Sequence, residues 1–305
     1  MSERIVVLVN RRAGRAGNLP RRAEVEQALA RRGSVAIVEP ADAVALAAAA
    51  AAASRAGATL VVAGGDGTVN RAVTAMRNAP VPLGILPLGS GNDLARALRI
   101  PTDIVEAAGQ IAGSRGRAMD LVEISGAVCC CTVGGLGLVA DVTARVARRS
   151  EPGRWSRPFV QALGQYAYLL SATLRILSPA TRPRTVRLEG ESASGRWQWT
   201  GPCHALFLAN HPTLGAGLRL PVPSASDDGE IEVCVVPHRA RLSLAIRLAA
   251  LRTGRSVPED VLTVRRASRV VIELEEASPL AADGDIVCAG RRFDVVVRPR
   301  ALTIL

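Results

Sequence analysis

The chain has no lysine: every one of its 38 basic residues is arginine. A Walker A loop, a protein-kinase β3 lysine and a Schiff-base lysine are thereby excluded, because all three chemistries need an amine. Any phosphate has to be met by backbone, arginine or metal. Aromatic residues are scarce at 3%, so the cores must be aliphatic and bases would find few rings to stack on. The arginines are spread along the chain without a recognition motif, and no nucleic-acid partner is expected. The six cysteines show no CxxC or Cys/His spacing. Cys129-Cys130-Cys131 would alternate between the faces of a strand rather than converge on a metal, which points to buried thiols in a reducing compartment. His204, His211 and His238 lack partner spacing and read as structural or surface residues. Long apolar runs are missing too. The alanine-rich stretch from Ala43 to Ala53 is short, weakly apolar and followed by Arg55, and reads as a surface helix rather than a membrane span. Arg4 precedes an alternating, strand-like IVVLVN instead of a signal-peptide h-region, so a cytoplasmic protein is expected.

At 305 residues and 49% hydrophobic content, two domains with real cores are the default. The net charge of +11 suits an anionic partner, whether a phosphorylated ligand, an acidic membrane surface or nucleic acid. The most informative stretch is Thr59 to Asn70, TLVVAGGDGTVN. A buried-strand run (Leu60 to Ala63) feeds glycine-flanked Asp66 and then a helical pattern opened by Thr68. Such a junction leaves helix N-terminal amides pointing outward, an anion site made of backbone. An ordinary tight strand-to-helix turn is the plain alternative. A second junction repeats the plan: Val81 to Arg96, VPLGILPLGSGNDLAR, carries Gly89-Ser90-Gly91 with Asn92 and Asp93 as candidate N-caps. Two such turns would lie side by side at the carboxyl edge of a parallel sheet, where α/β sheets bind ligands.

Taken in order, strands are expected at 5–9, 35–38, 60–63 and 83–86, alternating with helices at 21–32, 43–56, 69–78 and 104–112. That alternation predicts an α/β Rossmann-like N-terminal domain with a parallel sheet over 1–122. From 123 to 297 short β runs at 128–133, 185–188, 204–209, 231–236, 269–274 and 293–297 predict a mainly antiparallel second domain. Helical patterns at 159–177 and 242–252 interrupt it. Whether 298–305 rejoins the first domain is left open. Phe159 to Leu177 is amphipathic, flanked by Arg145, Arg148, Arg149, Arg154, Arg157 and Arg175. It suits either a core-packed stripe or contact with anionic lipid.

GGDGT followed by GxLPxGSGND resembles the diacylglycerol kinase catalytic-domain family, the lipid kinases that include bacterial diacylglycerol kinases and sphingosine kinases. GGDG alone is shared with NAD kinases and phosphofructokinases. Looser matches continue through Gly134-Gly135-Leu136-Gly137, Gly164 to Tyr168, Gly215-Ala216-Gly217, Pro221-Val222-Pro223, Asp227-Asp228-Gly229 and Asp283-Gly284-Asp285. The resemblance implies an ATP-binding first domain, a β-sandwich second domain and chemistry in the cleft between them. The implied reaction is ATP- and Mg2+-dependent transfer of the γ-phosphoryl group to a lipid hydroxyl, diacylglycerol first. Sphingoid bases, ceramide or another lipid alcohol are alternatives. A soluble-substrate kinase of the NAD-kinase type, or a catalytically impaired nucleotide-binding regulator, are further ones. The implied partner is a lipid met by peripheral contact at the inner membrane face, and a homodimer is compatible.

The same resemblance distributes the site. It brings Asn10, Arg11, Arg12, Ala13 and Gly14 toward the nucleotide, along with Gly64, Gly65, Asp66, Gly67, Thr68, Val69 and Asn70, and with Gly89, Ser90, Gly91, Asn92 and Asp93. Asp66, Asp93 and Asp120 would hold magnesium and its waters. Asp283 would be the base that accepts the hydroxyl proton, although Asp-Gly is by itself a leading hairpin signal. Asp285 stands where the family usually has Glu, shortening the reach of that carboxylate by roughly 1.5 Å. Asp228, with the carbonyls of Ala225 and Glu230, would bind a structural magnesium, and a hairpin turn there is compatible. Arg11 replaces the family's usual proline, and Arg71 replaces its usual Glu, so no role passes to Arg71.

Overall fold

The computed structural model describes residues 3–11, 21–89, 91–149, 182–212, 220, 222, 225–238 and 262–305, without the side chains of 145–149. The chain divides into two compact units, Met1–Leu121 with Pro299–Leu305, and Val122–Arg298.

In the first unit β1 (Glu3–Val9), α1 (Arg22–Ala30), β2 (Gly33–Val38), α2 (Ala43–Arg55), β3 (Thr59–Gly64), α3 (Asp66–Met76), β4 (Leu83–Pro87), α4 (Asp93–Ala97) and α5 (Ile104–Gly113) follow one another. The four strands pair in parallel in the order β2-β1-β3-β4. Every residue of β3 and β4 is buried, the pattern of strands covered on both faces, whereas β2 alternates half-buried and exposed positions as an edge strand does. Helix starts are chemically marked: Asp42 accepts from the Ala45 amide at 2.8 Å, and Asp103 accepts from those of Val105 and Glu106 at 2.9 and 3.0 Å. The last residues of the chain add to this sheet, Ile304 pairing in parallel with Leu83 and the Leu305 amide donating to the Leu83 carbonyl at 2.9 Å.

The second unit is antiparallel. The end of β5 (Arg117–Ile124) forms a hairpin with β6 (Val128–Cys130), and β7 (Val133–Gly137) leads into α6 (Leu138–Arg149). β8 (Arg184–Ser192), β9 (Gly195–Ala209), β10 (Ile231–Pro237), β11 (Thr263–Ala267), β12 (Arg269–Ala282) and β13 (Asp285–Ile304) complete it. The pairs β8/β9, β9/β10, β10/β11, β7/β9, β7/β12, β8/β12 and β12/β13 all run antiparallel. Their inward residues, among them Val186, Leu188, Leu206, Leu208, Ile231, Val233, Val270, Ile272, Phe293 and Val295, form one largely aliphatic core.

Two expectations are corrected. The helix expected from 69 begins at Asp66, so Asp66 and Gly67 are its first turn rather than a preceding loop. The single strand expected over 128–133 is two strands, β6 and β7, with Cys131 and Thr132 between them. The expected helices at 159–177 and 242–252, and the motifs at 164–168, 215–217, 221 and 223, lie outside the described residues. No described helix is long and apolar enough to cross a membrane.

Candidate active site

In the first unit both glycine turns sit at the carboxyl ends of adjacent strands, because the β3/β4 register sets Gly64 beside Pro87. They touch through bare backbone. A Cβ on Gly89 would lie 2.5 Å from the Gly65 Cα, and one on Gly64 would lie 2.6 Å from the Thr68 Cβ. Only glycine permits that approach. Asn10, at the end of β1, joins them by donating to Thr68 Oγ1 at 2.8 Å. Gly65 is the N-cap of α3 and supplies no side-chain acceptor, so no side chain of its own stands between the start of that helix and an anion.

Asp66 and Asp93 face the same point. Measured from the position a Cβ would take on Gly91, Asp66 Oδ2 is 2.9 Å away and Asp93 Oδ2 is 3.7 Å away. Asp66 also accepts from the Leu94 amide at 3.1 Å, so the carboxylate of one glycine turn caps the helix that follows the other. The candidate cap Asn92 behaves differently. It occupies the N-cap position of α4 at φ +50° with no cap bond, and its side chain turns back to accept from the Gly89 amide at 2.9 Å and donate to the Gly89 carbonyl at 2.7 Å. Asn tolerates the left-handed region better than most residues, and the reward is a two-bond clasp between Asn92 and Gly89.

The remaining first-unit candidates divide. Asp120 is fully buried in β5 and accepts from the Arg300 amide at 2.7 Å, anchoring the returning chain end where Arg300 sits at φ +52°. Val69 is in the core at 2% exposure, and Asn70 is buried beside it. Arg11 pairs with Glu39, and Arg71 donates to the Gly67 carbonyl at 3.2 Å. Arg12, Ala13, Gly14 and Ser90 lie outside the described residues.

In the second unit Asp283 and Gly284 form the two-residue turn of the β12/β13 hairpin, at φ +47° and +85°. That geometry is a type I′ turn, and Asp285 begins β13 opposite Ala282. The Asp283 side chain does far more than turn the chain. Its Oδ1 accepts from the Thr132 amide at 2.8 Å and from Thr132 Oγ1 at 2.6 Å, and its Oδ2 accepts from the Cys131 amide at 2.9 Å. The Cys130 thiol reaches Oδ1 at 3.5 Å. Burial, with the Asp283 charge beside it, pushes that thiol well above its ordinary range. The break between β6 and β7 exists to present these donors. The Thr132 carbonyl is itself held by the Asn210 amide at 2.8 Å and the His211 amide at 3.2 Å, and Asn210 Nδ2 donates to the Cys131 carbonyl at 3.0 Å. A carboxylate gripped this way has one orientation.

In the expected metal set, Asp228 with the carbonyls of Ala225 and Glu230, the Asp228 carboxylate faces a cation of the chain itself. Arg266 Nη2 lies 2.5 Å from Asp228 Oδ2 and 3.2 Å from Glu230 Oε2. Asp228 Oδ1 accepts from the Glu230 amide at 3.2 Å, and Glu230 Oε1 accepts from the Ala193 amide at 2.7 Å. A cation from the chain already sits on the carboxylates. Nothing local in the sequence marked Arg266 or Thr132, since each reaches its acidic partner across a long separation.

A parallel α/β unit with paired glycine turns is thus followed by an antiparallel unit that carries a fixed carboxylate. The diacylglycerol kinase catalytic domain model matches residues 4–124, and the YegS C-terminal NAD kinase beta sandwich-like domain model matches residues 138–305. A diacylglycerol kinase of Bacillus subtilis (strain 168) is 29% identical over 232 residues, covering 74% of this chain and 70% of that protein. A protein of Pseudomonas aeruginosa strain PAO1 described as a probable YegS-like lipid kinase is 30% identical over 250 residues, covering 81% and 76%. A diacylglycerol kinase structure from Bacillus anthracis str. Sterne shares the fold at a TM-score of 0.71 and 16% identity, over 99% of this chain and 96% of that one. The chain belongs to the diacylglycerol kinase catalytic-domain family, in its YegS-like lipid kinase form.

Proposed function

We propose that this protein transfers the γ-phosphoryl group of ATP to a lipid hydroxyl, with diacylglycerol as the acceptor and phosphatidic acid as the product. The observation that carries the reading is the backbone contact between Gly65 and Gly89, which joins two glycine turns into one cradle beside the uncapped start of α3. Backbone amides suit a chain that has no lysine to offer a phosphate. We read this unit as a Rossmann-like nucleotide domain. Asp66 and Asp93, converging beside Gly91, are the residues that fit a magnesium ion, because magnesium takes few direct protein carboxylates and keeps its waters. When bound, that ion neutralises charge on the phosphates. Asp120 is left out of this set by its burial and its bond to Arg300.

Asp283 accepts the proton of the attacking hydroxyl as the new O–P bond forms and the bond to the β,γ-bridging oxygen breaks, releasing ADP. The donors from Cys131 and Thr132 keep the carboxylate aimed while it does so. An anionic membrane surface is where we expect the lipid to be met, supported by the net charge of +11.

The test is labelled-phosphate transfer from ATP, resolved by thin-layer chromatography, to dioleoylglycerol, sphingosine, ceramide and NAD. The native chain is expected to label dioleoylglycerol, and Asp283→Asn to lose activity by about 10³-fold, within the range of a lost general base. Equal product from both would put the base elsewhere. Label entering only NAD would end the lipid reading, and ATP binding without any labelled acceptor would favour a regulator.

A further inference from the structure

We infer that Arg266 replaces the structural metal ion of the 225–232 segment, so that the second unit carries its stabilising cation within its own sequence. β10 and β11 pair antiparallel with Glu232 directly opposite Arg266. The turn that leads into β10, where Gly229 takes φ +80°, brings Asp228 and Glu230 to the same guanidinium, and Arg266 stands 2.5, 3.2 and 3.9 Å from Asp228, Glu230 and Glu232 in that order.

Burial makes the cation obligatory. The side chains of Glu230 and Glu232 are 9% and 3% exposed, and carboxylates taken out of water need a compensating charge. A planar guanidinium with five donors can bridge three acids at once, which a lysine ammonium does less well. The neighbours are committed to the same arrangement. Amides from Glu230 and Ala193 take further oxygens of the cluster, and Trp197 Nε1 donates to the Arg266 carbonyl at 2.8 Å, pinning β11. A divalent ion at Asp228 would meet the positive guanidinium within ion-pair distance. Among the described residues no group of three His, Cys, Asp or Glu is placed to hold a metal.

The experiment is thermal unfolding of the full chain without nucleotide, in excess EDTA and in millimolar magnesium chloride. The native Tm is expected to agree between the two buffers within about 1 °C, while Arg266→Met lowers it by about 5–10 °C in EDTA, the scale expected when a buried acid loses its partner. Arg266→Lys, which keeps the charge but cannot bridge, should fall between. A native Tm several degrees lower in EDTA than in magnesium overturns the inference, as does an Arg266→Met variant that melts with the native chain. If Arg266→Met does not fold, the native chelation result and Arg266→Lys decide. None of these readings depends on which lipid is phosphorylated.

Discussion

Thr132 donates to the Asp283 carboxylate twice, through its amide and its hydroxyl. Only the hydroxyl can be removed by mutation, and it makes the shortest of the four contacts. If Asp283 is the base, Thr132 is a positioning residue rather than a participant. Thr132→Val is expected to lower kcat about tenfold with KM changed less than twofold, the worth of one hydrogen bond to a charged group. Thr132→Ser should recover most of the loss. Steady-state kinetics with dioleoylglycerol checks this, and a Thr132→Val enzyme with native kcat would mean that the two amides suffice. Legibility at this scale was uneven. Asp66, Asp93 and Asp283 stand out in the sequence because each lies within two residues of a glycine. Thr132 and Arg266 do not, since they act across 151 and 38 residues respectively, and a side-chain hydrogen bond at that separation leaves no periodic trace.

Among the elements, α4 shows how one carboxylate serves two ends. Its five residues are too few to be helical alone, and the Leu94 amide is capped by Asp66 from the other glycine turn. Asp66→Ala should therefore cost about 1 kcal/mol, or about 2–4 °C in Tm, measured without nucleotide. Asp66→Asn keeps an acceptor oxygen, so it should melt near the native temperature while losing magnesium-dependent ATP binding. If both variants melt with the native chain, the cap contributes nothing. Element existence was readable from apolar runs, as with β1, β3 and β4, because strands buried on both faces are continuously apolar. Element ends were not. The early start of α3 places Gly67 in the helix against its low propensity, since packing outweighs local preference. The break between β6 and β7 is invisible because Cys131 is as apolar as the cysteines before it, and the bend is held by Asp283 from the β12/β13 turn.

On the scale of the whole molecule, no disulfide joins the six cysteines, all of which belong to the second unit. Burial pushes the thiols of Cys130 and Cys234 well up, that of Cys203 to about 12, and that of the partly buried Cys288 upward as well. Thiolates react and thiols scarcely do, so a disulfide reagent at pH 8 should label at most Cys288 quickly in the native protein, and six thiols after denaturation. More than one fast thiol without denaturant would show that the β core opens readily. The return of the last residues to β4, through Ile304 and Leu83, is likewise a property of the folded chain, for a terminal apolar run names no partner strand.

The amino-acid sequence alone determined the chemistry available: no amine, two glycine turns each with an aspartate, and a late Asp-Gly pair in family order. Those features are local, and local backbone needs are written where they occur. Tertiary structure decided which of these groups meet. It set Gly65 against Gly89, turned Asp66 onto the next helix, clasped Asp283 from the β6/β7 break and brought Arg266 to Asp228, because each contact joins residues whose nearness exists only after the strands have paired.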